Sequence, residues 1–313
     1  QGVLSLVEQP YAGYGVAAPV SVTISDENIV TLPKIVTVEN EPLAVEIYKQ
    51  DAYTKQPMAA SFTLLDSTGK AVKLARMSDG TYRPADKAPA TATATASADA
   101  ALTVAETVDK LTLDAKTGKA RIEYLPQGKY QLKEDAVSGY ITLTGIEFEL
   151  TSEHTKAQPL QFTVSNIPTR FLLEKQDGVT KQPLKGAKFK LTDEKGNVIK
   201  LVKQEDGTYQ PAKQGETGVE VLELSGDKAQ AVICYLPAGK VTVTEVEGPS
   251  GYSIAAPITT EVGTEVVLHT ALAAQAEDMK KHTIAETSLA VIDLPLALKI
   301  SKVHSKTQKP LAG

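Results

Sequence analysis

The feature that most constrains this chain is an internal repeat. VEIYKQDAYTKQP from Val45, LLEKQDGVTKQP from Leu172 and KISKVHSKTQKP from Lys299 align, and they place Lys49, Lys175 and Lys302 in register at spacings of 126 and 127 residues. A second block, QGVLSLVE, QGKYQLKE and AGKVTVTE, ends on Glu8, Glu134 and Glu245, each followed shortly by Gly-Tyr. A third, TVENEP, TVSNIP and AVIDLP, aligns Asn40, Asn166 and Asp293, each nine positions before the next lysine. A chain that repeats on this scale must fold as modules in series, each with its own core.

The register divides the chain into residues 1–40, the C-terminal part of one module; 41–167 and 168–294, two whole modules; and 295–313, the first strand of a further one. Only Glu-Pro, Ile-Pro or Leu-Pro separates consecutive units, which predicts stiff joints. Val, Thr and Tyr are plentiful, Trp is absent, and Gly and Pro punctuate short apolar runs. This pattern predicts an all-β chain of tandem sandwich modules. KYQLKE and KVTVTE alternate as half-buried strands do. RIEYLPQGKYQLKE and AVICYLPAGKVTVTE are expected to be hairpins turning on Pro-x-Gly. Two insertions break the period: APATATATASADA, a low-complexity loop followed by AALTVAETVDKL with helical spacing, and ALAAQAEDMKKH, a second helix by propensity.

Composition narrows the function. With 33 basic and 38 acidic residues and no block of like charge, the chain offers no footprint for nucleic acid or an anionic membrane. It has no apolar run long enough to span a bilayer and no signal peptide, and it is expected to be a fragment of a longer protein. Its single cysteine, Cys234, excludes an intramolecular disulfide and is expected to be a small buried hydrophobe. His154, His269, His282 and His304 lack metal-ligand spacing, no cofactor motif is present, and LPQGK and LPAGK are turns without the threonine of a sortase signal.

The aligned lysine, glutamate and amide or acid side chains carry the chemistry. If the first and last strands of a module pair in parallel, the lysine and the Asn or Asp become neighbours. Burial lowers a lysine's pKa and raises a glutamate's. A neutral amine is a nucleophile, a protonated carboxyl shuttles protons, and fixed proximity supplies a large effective molarity. The product is a Lys–Asn amide with loss of ammonia, or a Lys–Asp amide with loss of water. A buried Lys175–Asp293 ion pair is the non-chemical alternative.

These motifs (IYKQDAYTKQP, EKQDGVTKQPLKGAKFKL, the DGTY turns, LPQGKYQLKE with SGY, LPAGKVTVTE with SGY, and VSNIP and VIDLP) resemble the Cna protein B-type, prealbumin-like repeats of Gram-positive surface adhesins and pilins. The resemblance implies a Lys49–Asn166 cross-link assisted by Glu134 and a Lys175–Asp293 cross-link assisted by Glu245. Glu8 and Asn40 are then partners without their lysine, and Lys302 a lysine without its partners. The glutamate-to-tyrosine spacing is six at Glu8 and Glu134 but seven at Glu245, which makes Glu247 a competitor. Asp51 and Asp177 follow their lysines by two residues, where His304 stands in the last copy.

The implied function is a structural stalk segment of a cell-wall-anchored surface adhesin, with neighbouring modules as partners and host matrix or glycan bound by other parts of the parent. The alternatives are a pilus backbone subunit, or a ligand-binding module using the insertions. Turnover of an external substrate is not expected.

Overall fold

The computed structural model describes residues 2–88, 102–263, 266–267 and 286–311. It is nearly all β, with one 3-10 turn at Ala85–Lys87 among the described residues. Contacts divide the chain into two compact units, Gln1–Pro168 with Glu265–Thr283, and Thr169–Thr264 with Ile284–Gly313.

In the first unit the strands are β1 (Gly2–Leu6), β2 (Val20–Ile24), β3 (Ala44–Asp51), β4 (Ser61–Leu65), β5 (Leu74–Met77), β6 (Tyr82–Pro84), β7 (Val104–Val108), β8 (Leu111–Thr112), β9 (Lys119–Glu123), β10 (Gly128–Glu134), β11 (Leu143–Thr144), β12 (Ile146–Leu150) and β13 (Leu160–Asn166). After β1 and β2, which pair with each other, the sandwich is built from two sheets in the orders β13-β3-β9-β6-β5-β7 and β12-β10-β4-β8. Val45 and Ile47 of one sheet and Phe62, Leu64 and Leu132 of the other, all fully buried, meet between them.

The second unit contains β14 (Arg170–Asp177), β15 (Ala187–Thr192), β16 (Leu201–Lys203), β17 (Tyr209–Pro211), β18 (Leu222–Leu224), β19 (Gln230–Cys234), β20 (Gly239–Glu247), β21 (Ile258–Val262) and β23 (Glu286–Asp293); β22 (Val266–Val267) is grouped with the first unit. Its sheets run β16-β17-β19-β14-β23 and β18-β15-β20-β21, around Phe171, Leu173, Phe189, Ile233 and Val243.

In both units the first strand of the module lies in parallel beside the last. Val164 pairs with Lys49 and Asn166 with Asp51; Val291 pairs with Lys175 and Asp293 with Asp177. Side chains alternate along β3, so Lys49 shares the inward face of Val45 and Ile47. Glu134 likewise shares the inward face of Tyr130 and Leu132 on β10, in the opposite sheet. The same alternation that buries the apolar residues therefore carries a lysine and a glutamate into the core from opposite sides.

The structure departs from the sequence expectations in four places. AALTVAETVDKL is not helical: its described part forms β7 and β8, and β7 pairs antiparallel with β5. Its Val and Thr residues are strand formers, and the edge of β5 offers backbone partners that a lone helix would lack. ALAAQAEDMKKH lies outside the described residues, as does most of APATATATASADA.

The two Pro-x-Gly segments do not close hairpins. β9 pairs with β3 while β10 pairs with β4 and β12, so the turn carries the chain from one sheet to the other. β19 and β20 do the same in the second unit. Tyr124 and Tyr235, both at φ 61°, redirect the backbone just before each Leu-Pro. Cys234 is half-buried rather than buried, because it falls on the outward phase of β19, with the Arg170 guanidinium 4.0 Å from its sulfur.

Candidate functional site

Lys49, Glu134 and Asn166 meet in the first unit, all buried, with Asn166 fully so. Lys49 Nζ donates to Asn166 Oδ1 and lies 2.5 Å from Glu134 Oε1. The same Glu134 oxygen accepts the Asn166 Nδ2–H at 2.9 Å. One carboxylate oxygen thus touches both the amine and the amide nitrogen. Phe62, which faces Glu134 in the β4–β10 pairing, places its ring centroid 5.4 Å from Lys49 Nζ. Burial pulls the Lys49 pKa down from 10.5 to about 8, although Glu134 opposes the shift through its charge and its hydrogen bond.

The second unit repeats the arrangement. Lys175 Nζ is 3.1 Å from each Glu245 oxygen and ion-paired with Asp293 Oδ1, with Lys175 and Asp293 fully buried. Phe189 takes the place of Phe62, facing Glu245 across the β15–β20 pairing, its ring centroid 5.9 Å from Lys175 Nζ. Burial raises the Glu245 pKa, against the Ala255 N–H and Lys175, and a hydrogen bond with Asp293 raises it further. Two carboxyl groups and one amine share a buried pocket, and its burial favours the protonated form of Glu245.

Glu247 does not compete. It is exposed on β20 and pairs with Lys188 at 2.8 Å. The register slips between Lys188, opposite Glu247, and Phe189, opposite Glu245, so a bulge at Val246 absorbs the extra residue in the glutamate-to-tyrosine spacing. Glu245 therefore keeps the position of Glu134.

The flanking residues are placed differently. Glu8 and Asn40 are half-buried and hydrogen-bonded to each other, and Asn40 is the chief reason that the Glu8 pKa is lowered. Ala17 N–H donates to Glu8 Oε2 at 2.7 Å, as Ala255 N–H does to Glu245 Oε2 at 2.8 Å. Leu143 N–H occupies the matching place 3.5 Å from Glu134 Oε2. Lys302 is exposed. His304 turns the chain after it, its Nδ1 accepting the Lys306 and Thr307 N–H groups at 3.3 Å each.

Sequence reasoning singled out the Lys-x-Asp and Gly-Tyr motifs without joining them. Asp51 Oδ1 accepts the N–H groups of Tyr53 and Thr54, at 2.7 and 2.8 Å, and its Oδ2 accepts the Tyr140 hydroxyl at 2.8 Å. Asp177 does the same with Val179, Thr180 and the Tyr252 hydroxyl, the last at 2.6 Å. Tyr252 is the chief cause that holds the Asp177 carboxyl down at about 2. The recurrence of both motifs in each module, Asp two residues after the lysine and Gly-Tyr shortly after the glutamate, was the available signal. Phe62 and Phe189 stand 13 and 14 residues after their lysines, so only the strand pairing, each opposite its glutamate, shows them to be equivalent.

Among the described residues no cluster of His, Cys, Asp and Glu could hold a metal ion, and no helix is long and apolar enough to cross a membrane.

A family model for the SpaA prealbumin-like fold domain matches residues 44–164 and again 169–272. These matches take in well over half of the chain, which belongs to this family as two tandem domains. Solved structures that resemble it include the Bacillus anthracis TIE protein, 19% identical with a TM-score of 0.35, covering 94% of this chain and 42% of that one. The GBS52 minor pilin of Streptococcus agalactiae is 15% identical, TM-score 0.32, with 84% and 100% covered. The shaft pilin SpaA of Lactobacillus rhamnosus GG is 18% identical, TM-score 0.32, with 82% and 99% covered. The chain thus spans less than half of the TIE protein, and at these scores none of the three likenesses bears on function. No curated protein matches the sequence.

Proposed function

We propose that residues 41–167 and 168–294 each form one intramolecular amide, Lys49–Asn166 and Lys175–Asp293, and serve as cross-linked structural modules of a Gram-positive surface adhesin. The observation that carries this reading is the single Glu134 oxygen in contact with both Lys49 Nζ and Asn166 Nδ2. With a pKa of about 8, Lys49 is neutral in part of the molecules at neutral pH. Its lone pair adds to Asn166 Cγ; Glu134 takes the amine proton and delivers it to Nδ2; the C–Nδ2 bond breaks and ammonia leaves. In the second module Lys175 adds to the Asp293 carboxyl, and Glu245 passes a proton to the departing hydroxyl, which leaves as water. Neither reaction involves an oxidant, a metal or an external substrate, and each occurs once per module.

The parallel pairing of first and last strands supports a load-bearing role. Tension entering β3 crosses the amide and leaves at Asn166, so the 117-residue loop between them carries none. Such a module suits an extracellular, cell-wall-attached protein, whose partners are its own neighbouring modules and, through other parts of the parent, host matrix or glycan.

Mass spectrometry of the intact chain and its proteolytic peptides tests the chemistry. The expected result is a deficit of one ammonia and one water, with branched peptides joining Lys49 to Asn166 and Lys175 to Asp293. The full calculated mass would overturn the proposal.

A further inference from the structure

The glutamate of each triad lies at or within two residues of the end of its strand, and the chain then turns back so that a backbone N–H reaches the carboxylate. In the second module β20 runs through the bulge at Val246 to Glu247, and the chain then turns at Gly251 with φ 85° and presents the Ala255 N–H to Glu245 Oε2 at 2.8 Å.

The anchor of this loop is Tyr252. The tyrosine hydroxyl donates to Asp177 Oδ2 at 2.6 Å, and Asp177 lies on the lysine strand two residues after Lys175, directly opposite Asp293 in the parallel register. Asp177 is itself fixed, since its Oδ1 accepts two backbone N–H groups of the following turn. The first module repeats the anchor, with Gly139 at φ 86°, the Tyr140 hydroxyl on Asp51 Oδ2 at 2.8 Å and two turn N–H groups on Asp51 Oδ1, while the N–H facing its glutamate is that of Leu143, 3.5 Å from Glu134 Oε2. Tyr140 also bridges Pro168, as Tyr252 bridges Pro295, just beyond each acceptor residue. A single hydroxyl therefore ties the strand that carries the nucleophile to the loop that hydrogen-bonds the proton carrier.

We infer that Asp177–Tyr252 and Asp51–Tyr140 are positioning pairs for amide formation, holding the loop so that its backbone N–H orients the glutamate carboxyl against the lysine and the acceptor. The hydrogen bonds described for these four residues run to one another and to turn N–H groups, so the role is one of positioning. The inference rests on the cross-linking proposal.

The variants Tyr252→Phe and Tyr140→Phe each remove one hydroxyl and leave the ring. Unlinked chain, recovered unfolded in urea from inclusion bodies, is diluted into buffers of different pH and quenched with acid at intervals; the two branched peptides are quantified separately. Tyr252→Phe is expected to slow the Lys175–Asp293 amide by about tenfold, the rate equivalent of one weakened hydrogen bond, and to leave Lys49–Asn166 at the wild-type rate. Because an N–H donated to a carboxylate favours its charged form, loosening the Ala255 contact also raises the Glu245 pKa. The pH–rate profile of the second module should therefore move to higher pH, a change that mere loss of fold stability would not produce. Tyr140→Phe should slow only the first module. Asp177→Asn combined with Tyr252→Phe should be no slower than the slower single variant, because the pair acts as one unit.

Wild-type rates in both Phe variants would overturn the inference, as would slowing of both modules by either variant. A slower second module with an unmoved pH profile would reduce the pair to a folding element and overturn it too. So would hydrogen exchange showing that both Phe variants unfold their module. If the wild-type chain itself forms no branched peptide, the cross-linking proposal fails, and that outcome is separate from all of these.

Discussion

Glu134→Gln separates the amide from the rest of the first module. The substitution keeps the size and most of the hydrogen bonding of the buried side chain but removes the group that relays the proton. Lys49 then stays unlinked. It does not become a buried unpaired charge, because Glu134 supplies the two effects that hold the Lys49 pKa up against burial. Without them burial pulls the Lys49 pKa lower still, so more of the amine is neutral and its desolvation costs less. What the variant loses is the tether. A bond closing a loop of 117 residues is worth roughly 4–5 kcal/mol by the chain-entropy relation used for disulfides. At about 4 °C per kcal/mol for a domain of this size, the transition of the first module should fall by roughly 15–20 °C.

Scanning calorimetry of the whole chain measures this against an internal reference, since the second module keeps its own amide and should melt where it does in the wild type. Peptide mapping of the same sample should show the Lys175–Asp293 branch and no Lys49–Asn166 branch. The reasoning is refuted if the branch at Lys49 survives in the variant. It is equally refuted if the branch disappears while the first transition stays within a few degrees of its wild-type position.

Four further outcomes follow from the same geometry. Under force, the first module should show no unfolding step for its tethered loop, whereas Lys49→Ala should release about 400 Å of contour, the extended length of 117 residues; single-molecule stretching reads the difference. Formation of the Lys49–Asn166 amide should speed up about tenfold per pH unit below a Lys49 pKa of about 8 and level off above it, because only the deprotonated amine attacks; quenched refolding across pH checks the slope. The second module should slow at the alkaline end, because burial raises the Glu245 pKa and the rate falls once the proton that Glu245 passes to the leaving hydroxyl is lost; the same quenched refolding reads the fall. Phe189→Ala, beneath Lys175 and fully buried, should cost about 3–5 kcal/mol in chemical denaturation and slow the second amide by admitting water beside the amine.

The repeat made the organisation legible before any coordinates. Three blocks in constant order placed Lys49, Glu134 and Asn166, and Lys175, Glu245 and Asp293, as sets, and strand alternation put each on the phase of its apolar neighbours. That much follows from a period of two and from repeated spacing, which are properties of the linear chain. Other features depended on distant partners. AALTVAETVDKL carries a helical spacing, yet the open edge of β5 drew it into a strand. The Pro-x-Gly segments mark turns correctly, but whether a turn closes a hairpin or crosses between sheets depends on which strands already flank each arm.

The choice of Glu245 over Glu247 likewise rests on a bulge at Val246, visible in sequence only as one extra residue. The hydroxyl links from Tyr140 to Asp51 and from Tyr252 to Asp177 span 89 and 75 positions and belong to the folded chain alone. Sequence by itself determined which chemical groups each module owns and on which strand face they lie. Only the tertiary structure brought one carboxylate into contact with both amine and amide, since that contact requires two sheets to close over a common core.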